Sequence, residues 1–296
     1  MTNVDEYLQE LLAIAHPLAP LDMPLLDAHG ATLASDVFAG DRLVIRGGGR
    51  IRSTHIGLAA SIGLDHLPTR PHPRVVVISA GEDLTEPGHA LDAKHSYESN
   101  SWLLTTAVRE AGAIGYRVHT IPDTTEELKD LIEDQLVRAD LVVISSGPRS
   151  VEMMKSALHS LGEIQEREVA MAPSGHHSFG LIGPDRTPVI TLPSDSQSAY
   201  IACELFVRPM IRQMLGRKNL SHRKLTATLE GEVRGAEGVR TYIEAIISHD
   251  HEVLRVKPAG DSQRAEANGL IIIDQKGGSK TSSSEVDVIL LDRRVD

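Results

Sequence analysis

The chain has 296 residues, 41% of them apolar and 24% charged, with 30 basic against 41 acidic residues for a net charge of −11. That is enough chain to bury a sizeable core at ordinary soluble composition, while the acidic balance argues against a general nucleic-acid surface and 3% aromatics against a stacking platform for single strands. One cysteine, Cys203, excludes an intramolecular disulfide framework; no apolar run approaches membrane-spanning length and Met1-Thr2-Asn3-Val4-Asp5-Glu6 is unlike a signal, so direct membrane insertion is not expected and a cytoplasmic location is.

Val4, Leu8, Leu11, Leu12 and Ala15 recur at helical spacing, which predicts a helix over residues 4–15. Pro17, Pro20 and Pro24 then force extended chain. A second short helix is expected over 31–37, a flexible loop at Gly47-Gly48-Gly49, and a small helix over 54–62 ending at Gly63. Pro68, Pro71 and Pro73 mark a linker, so residues 1–70 read as a helical, partly extended region.

Strands at 74–79, 116–121, 140–145 and 188–192 then alternate with helices at 100–112, 124–138, 152–162 and 197–215. Such alternation implies βαβ units, hence a parallel sheet with flanking helices over residues 71–218. Residues 168–173 and 178–182 read as an inserted hairpin. Ser99-Asn100-Ser101 is the expected N-cap of the first of these helices, and Asp123-Thr124-Thr125-Glu126-Glu127 resembles a capping box for the second. Beyond Gly216 come short strands at 223–234, 239–248, 252–258, 269–274 and 285–291, with turn signals that include Asp250-His251, so residues 219–296 read as a small C-terminal β barrel.

Two strand ends carry the candidate chemistry. Val75-Val76-Val77-Ile78 runs into Ser79-Ala80-Gly81-Glu82-Asp83-Leu84, and Leu141-Val142-Val143-Ile144 into Ser145-Ser146-Gly147-Pro148-Arg149. In a doubly wound sheet both turns lie at the carboxyl edge, where ligands bind. Ser79, Gly81 and Gly147 offer a hydroxyl and backbone N–H groups to an anion or a sugar-like hydroxyl; Glu82 and Asp83 can hold a cation, or can be solvated acids of an ordinary turn. Glu98, Ser99 and Asn100 open the next helix toward the same edge, as ligand groups or simple caps. Glu152 and Lys155, three apart, share a helix face as a catalytic acid and cation or as a surface ion pair. His176-His177 is a weak metal motif without a third ligand at supporting spacing, and Cys203 falls in an apolar stretch that suits a core.

The ordered series VVVISAGEDLTEPG (75–88), YESNSWL (97–103), the turn and helix at 144–155, AMAPSGHHSFG (170–180), LPSDSQSA (192–199), ELFVRPMIRQML (204–215) and RAEANGLIII (264–273) resembles the molybdopterin molybdenumtransferase family of MoeA and the gephyrin E domain. The resemblance runs over nearly the whole chain. It implies an N-terminal helical and extended segment used in dimerisation, a molybdopterin-binding α/β domain, a C-terminal β domain and a homodimer with shared active sites. It also implies a reaction that takes adenylylated molybdopterin and molybdate, inserts the metal with the help of Mg, and releases AMP.

Departures from the family pattern bear on activity. Members carry a further β-rich domain entered through a motif like Asp-Asn-Ser-Ala-Met-Asp-Gly-Tyr-Ala, whereas here Asp36-Val37-Phe38-Ala39 passes directly to Gly40-Asp41. The turn at 146–151 is shorter and lacks a second glycine, and Glu152 replaces the family's Asp while Lys155 is kept. The family's Pro-Gly-Lys-Pro becomes Pro173-Ser174-Gly175-His176, losing a lysine, and its Pro-Gly-Asn-Pro becomes Pro193-Ser194-Asp195-Ser196, adding a carboxylate. Each loss costs about 1–3 kcal/mol of binding or transition-state stabilisation.

The expectation is a divergent, non-catalytic member that keeps the dimeric scaffold and binds a ligand at Ser79, Gly81, Glu82, Asp83, Glu98, Ser99, Asn100, Gly147, Ser194 and Asp195, or holds a protein segment between its α/β and C-terminal domains. The alternative is an active molybdenumtransferase using molybdopterin, molybdate and Mg, with Arg149, Lys155, His176 and His177 replacing the lost positive charge. Glu82, Asp83, Glu98, Ser99, Glu152, Lys155, Ser194 and Asp195 should then line one cleft.

Overall fold

The protein's structure, a computed structural model, describes residues 1–250 and 253–291; His251 of the expected turn and residue 252 of the expected strand lie outside the described residues. The chain forms two compact units, one from Glu10–Gln165 and Ser178–Leu220, the other from Met1–Gln9, Glu166–His177 and the described part of Ser221–Asp296. No helix among the described residues is long and apolar enough to cross a membrane.

A six-stranded sheet organises the larger unit. Its order is Gly162–Glu168, His176–Ile182, Thr187–Leu192, Leu141–Ser146, Arg74–Ala80, Ile114–Arg117. The last four run parallel and His176–Ile182 runs antiparallel to its neighbour Thr187–Leu192. Val75 to Ile78 and Leu141 to Ile144 are fully buried, as β-branched runs in the middle of a parallel sheet should be. Val76, Ile78, Val142 and Ile144 share a cluster with Leu128 and Ile132 of the helix Thr125–Leu136 and with Met154 and Leu158 of Val151–Leu161. Register sets up the site. Ser79 lies opposite Ser145 and Ala80 opposite Ser146, so the two central strands release their turns side by side at the same level.

Several elements depart from the sequence expectation. The strand expected over 116–121 is Ile114–Arg117; Val118 still donates to the Val77 carbonyl at 3.0 Å, and the chain then leaves the sheet ahead of Pro122. The inserted strands are Gly162–Glu168 and His176–Ile182, the first following the helix Val151–Leu161 with no loop between them. The helix expected over 197–215 is Ser196–Ala202, a π turn at Cys203–Val207, and Arg208–Met214. Pro209 has no N–H to return to the carbonyl four residues back, and the wider turn falls just ahead of it.

Residues 31–37 form no helix. Thr32–Leu33 is instead a buried strand in an antiparallel trio with Leu21–Pro24 and His66–Arg70, because pairing with Thr69 and Arg70 outweighs a weak local preference. Val37–Ala39 and Arg42–Ile45 then make a hairpin closed by Gly40-Asp41, with Gly40 at φ 59°. The hairpin, the expected helix (Ser53–Ser61) and this sheet enclose a core of Ala28, Leu33, Val37, Ile45, Ile51, Ala59 and Leu67.

In the other unit Lys224–Leu229, Val253–Pro258, Arg240–Asp250, Gly269–Ile273 and Glu285–Leu290 close into a five-stranded barrel. Ala227, Leu229, Ala245, Ile247, Val256, Ile271, Ile273, Val286 and Val288 fill it. The two short strands Val233–Gly235 and Gly278–Lys280 pair outside the barrel ladder.

Candidate functional site

The two adjacent turns, the start of the helix Asn100–Ala111 and residues 194–196 frame a cleft of about 290 Å³ at the carboxyl edge of the sheet. Half of its lining is serine: Ser79, Ser96, Ser99, Ser145, Ser146, Ser194 and Ser196. Tyr97, Glu98, Asn100, Gly147 and Asp195 also line it, and among the described residues no lysine or arginine does.

Glu98 is the hub, only 1% exposed. Ser79 Oγ donates to its Oε1 at 2.7 Å and lies 3.1 Å from Ser145 Oγ. The Ser101 N–H donates to the same Oε1 at 2.7 Å and Ser101 Oγ to Oε2 at 2.6 Å. The expected cap by Ser99 is therefore replaced by Glu98, whose negative charge suits a helix start. Behind it Arg117 reaches Glu98 Oε2 at 3.4 Å, and Arg117 Nη2 donates to both oxygens of Glu86 at 2.6 Å. Arg117 Nε donates to Ser101 Oγ at 2.7 Å. A buried carboxylate here is tolerable because this guanidinium compensates it.

Opposite Glu98, Ser99 Oγ and Ser196 Oγ are 2.9 Å apart, and Ser196 Oγ donates to Asn100 Oδ1 at 2.9 Å. Asn100 Nδ2 in turn donates to the Ser194 carbonyl at 2.8 Å. Asp195 caps the long helix, accepting from the Ser198 N–H at 2.8 Å. Both carboxylates of the cleft are thus compensated, Glu98 by Arg117 and Asp195 by a helix N-terminus.

Of the predicted site residues, Ser79, Glu98, Ser99, Asn100, Gly147, Ser194 and Asp195 come together here. Gly81, Glu82, Asp83, Glu152 and Lys155 do not line this cleft, and the N–H groups of Gly81 and Gly147, expected to face a ligand, donate instead to the Pro122 and Ala80 carbonyls at 3.0 and 2.9 Å. Glu82 is exposed, whereas Asp83 is 5% exposed and turned toward the second strand end. Asp83 Oδ1 is buried without a hydrogen-bond partner among the described residues, in the space beside the α-carbons of Gly81 and Gly147. Its Oδ2 lies 3.6 Å from Arg149 Nε, and Arg149 Nη2 donates to the Lys94 carbonyl at 3.0 Å. Glu152 and Lys155 meet at 3.7 Å as an i,i+3 pair with the Glu152 side chain 88% exposed, the arrangement of a surface ion pair.

His176 and His177 are consecutive on one strand and therefore point to opposite faces. His176 is exposed; His177 is buried and stacks on Tyr7 with ring centroids 5.5 Å apart. Gly175 cannot simply regain a lysine, since a Cβ there would run into the Val169 carbonyl oxygen. Among the described residues no group of three His, Cys, Asp or Glu side chains is placed to hold a metal ion. Magnesium bound with a phosphate-bearing substrate takes one or two protein carboxylates and completes its shell with waters and phosphate oxygens, and Asp83 presents an inward carboxylate oxygen at this edge. Cys203 is buried in the π turn, and burial pushes its thiol well above the usual range, which leaves it inert.

Arg117, Glu86, Ser101 and Ser196 escaped the sequence reading. Ser196 adjoins two predicted residues and was within reach of it. Arg117 is 19 positions from Glu98, on the far edge strand, and no local spacing connects them.

Comparison with known proteins places this geometry. A family pattern described as a probable molybdopterin binding domain matches residues 76–213. The chain is 30% identical over 269 residues to molybdopterin molybdenumtransferase 1 of Mycobacterium tuberculosis, covering 86% of this chain and 63% of that protein. It is 33% identical over 252 residues to molybdopterin molybdenumtransferase 2 of the same organism, covering 81% and 62%. This chain thus spans less than two thirds of the length of these relatives. A crystal structure of a molybdopterin biosynthesis MoeA protein from Pyrococcus horikosii superposes with a TM-score of 0.83 at 18% identity, over 99% of this chain and 100% of that one. At that identity the match speaks for the fold alone.

Proposed function

Since the chain belongs to the MoeA and gephyrin family of molybdenum-cofactor biosynthesis, we propose that it binds the pterin-bearing intermediate of that chemistry in its serine-lined cleft and does not insert the metal on its own. The observation that carries this reading is the state of the cleft. Its hydrogen-bond framework from Ser79 through Glu98 and Ser101 to Arg117 is complete, while no lysine or arginine among the described residues lines it. The hydroxyls of Ser96, Ser146 and Ser194 can hold phosphate or carbonyl oxygens through neutral donors, each worth about 0.5–1.5 kcal/mol net. Holding a ligand needs only that much. Stabilising charge that develops during metal insertion calls for fixed cations or a metal, and among the described residues no lysine or arginine lines the cleft.

The hairpin closed by Gly40-Asp41 supports the same reading, because it leaves no chain at that point for the family's further domain. The homodimer expected of the family is part of the proposal. One observation favours the alternative, a working molybdopterin molybdenumtransferase: the unpartnered Asp83 oxygen is a carboxylate atom still turned toward the second strand end.

Calorimetry with molybdopterin and its adenylylated form tests binding, and AMP release in the presence of molybdate and Mg tests turnover. Saturable binding without AMP release is the expected result. AMP release by the purified chain would overturn the non-catalytic part, and failure to bind either pterin would overturn the whole.

A further inference from the structure

Trp102 is the chain's one tryptophan and is 49% exposed. One face of its indole is closed by the Arg117 guanidinium, 4.1 Å from the ring centroid. Arg117 is itself immobile by construction: its side chain is only 7% exposed, and Glu86, Ser101 and Glu98 hold it. The ring is therefore pinned from behind, and its exposed surface belongs to the remainder of the indole. Trp102 stands three residues after Ser99, the spacing at which side chains share a helix face, and Ser99 lines the cleft. Tyr97, 47% exposed, also lines the cleft, its ring fixed by a hydroxyl that donates to the His89 carbonyl at 3.1 Å.

A half-exposed apolar residue is unremarkable alone. A large ring backed by a buried charged network, one helical turn from the Ser99 that lines the cleft, is a different object. We propose that Trp102 is a specificity-determining stacking platform, which receives the planar nitrogen heterocycle of a ligand whose polar end occupies the serine cleft. The proposal rests on the reading of that cleft as a ligand site. Stacking tolerates any planar π system, so a pterin and a purine share the chemistry, and experiment must separate them. A cation behind the indole adds to its hold, and the low aromatic content of the chain is no obstacle, because a single heterocycle needs a single ring.

As the only tryptophan, Trp102 reports on itself. Wild-type fluorescence would be titrated with AMP, with neopterin monophosphate and with ribose 5-phosphate, and each binding measured in parallel by calorimetry on wild type, Trp102→Ala and Trp102→Phe. The expected result is saturable quenching by AMP or by the pterin and none by ribose 5-phosphate. Affinity for the ring-bearing probe should fall at least tenfold in Trp102→Ala and stay within about threefold of wild type in Trp102→Phe. Whichever probe quenches identifies the ring. Calorimetric binding with unchanged fluorescence, and equal affinity in Trp102→Ala, would overturn the platform while leaving the cleft as a ligand site. Absence of calorimetric binding of all three probes to wild type would overturn both.

Discussion

Arg117 carries the charge that makes Glu98 tolerable, and removing it exposes the dependence. Arg117→Met would leave a carboxylate that is 1% exposed without a counter-charge, at a cost of about 3–5 kcal/mol in urea unfolding. Glu98→Gln in that background should recover most of the loss, since no buried charge then remains. A single-variant loss below about 1 kcal/mol would mean that Glu98 is compensated otherwise. Half of this arrangement was legible. Glu98 announces itself as a polar residue at a helix start, but Arg117 belongs to an edge strand and meets it only through the sheet. Asp83 shows the reverse failure: sequence places it in a ligand turn, and folding turns its side chain inward. The second unit offers a pH test. The hydrogen bond from Arg240 holds the Asp5 carboxyl below its ordinary value of 3.8. A depressed folded pKa gives stability that is full above the unfolded value and lost as pH falls through the folded one. The stability difference between wild type and Asp5→Asn should therefore be constant above about pH 5 and vanish toward pH 2. Asp5 is 66% exposed, so that difference stays under about 1 kcal/mol. A difference that persists at pH 2 would rule out the ion pair as its source.

At the scale of elements, the two strand ends differ in how they are packed rather than in where they lie. Gly147 is a packing requirement: a Cβ there would fall on the Asp83 carboxylate. Gly147→Ala should therefore lower stability by about 1–3 kcal/mol in thermal or urea unfolding. Asp83→Ala in the same background should restore part of it by emptying the contested space, a coupling that a double-mutant cycle reads directly. Additive effects would show that the two turns do not press on each other. Regular elements were legible where the pattern is local, as in the β-branched run from Val75 to Ile78 or the capping segment at Thr124, whose hydroxyl accepts from the Glu127 N–H at 3.2 Å. They were illegible where a distant partner decides. Thr32 and Leu33 are a strand because Thr69 and Arg70 pair with them, and the π turn at Cys203–Val207 leaves the apolar spacing of the helix unchanged.

For the whole molecule, the sequence shows Ala39 passing straight to Gly40-Asp41, but not the surface that the chain presents there. The hairpin that closes there sets Phe38 opposite Leu43 on one face, 52% and 38% exposed. Scattered apolar side chains need no explanation, whereas a cross-strand pair of two large ones is a surface that a partner would cover. A second copy of this chain is the occupant that fits the proposed homodimer. Light scattering of the purified protein at micromolar concentration should then give twice the 32.1 kDa of one chain. Phe38→Ser combined with Leu43→Ser should weaken self-association by at least about tenfold, without lowering the unfolding midpoint of the separated chains. A wild-type mass of one chain would remove the dimer from the proposal. A dimer indifferent to both substitutions would move its interface away from the hairpin, and the exposed pair would then not be a surface in use.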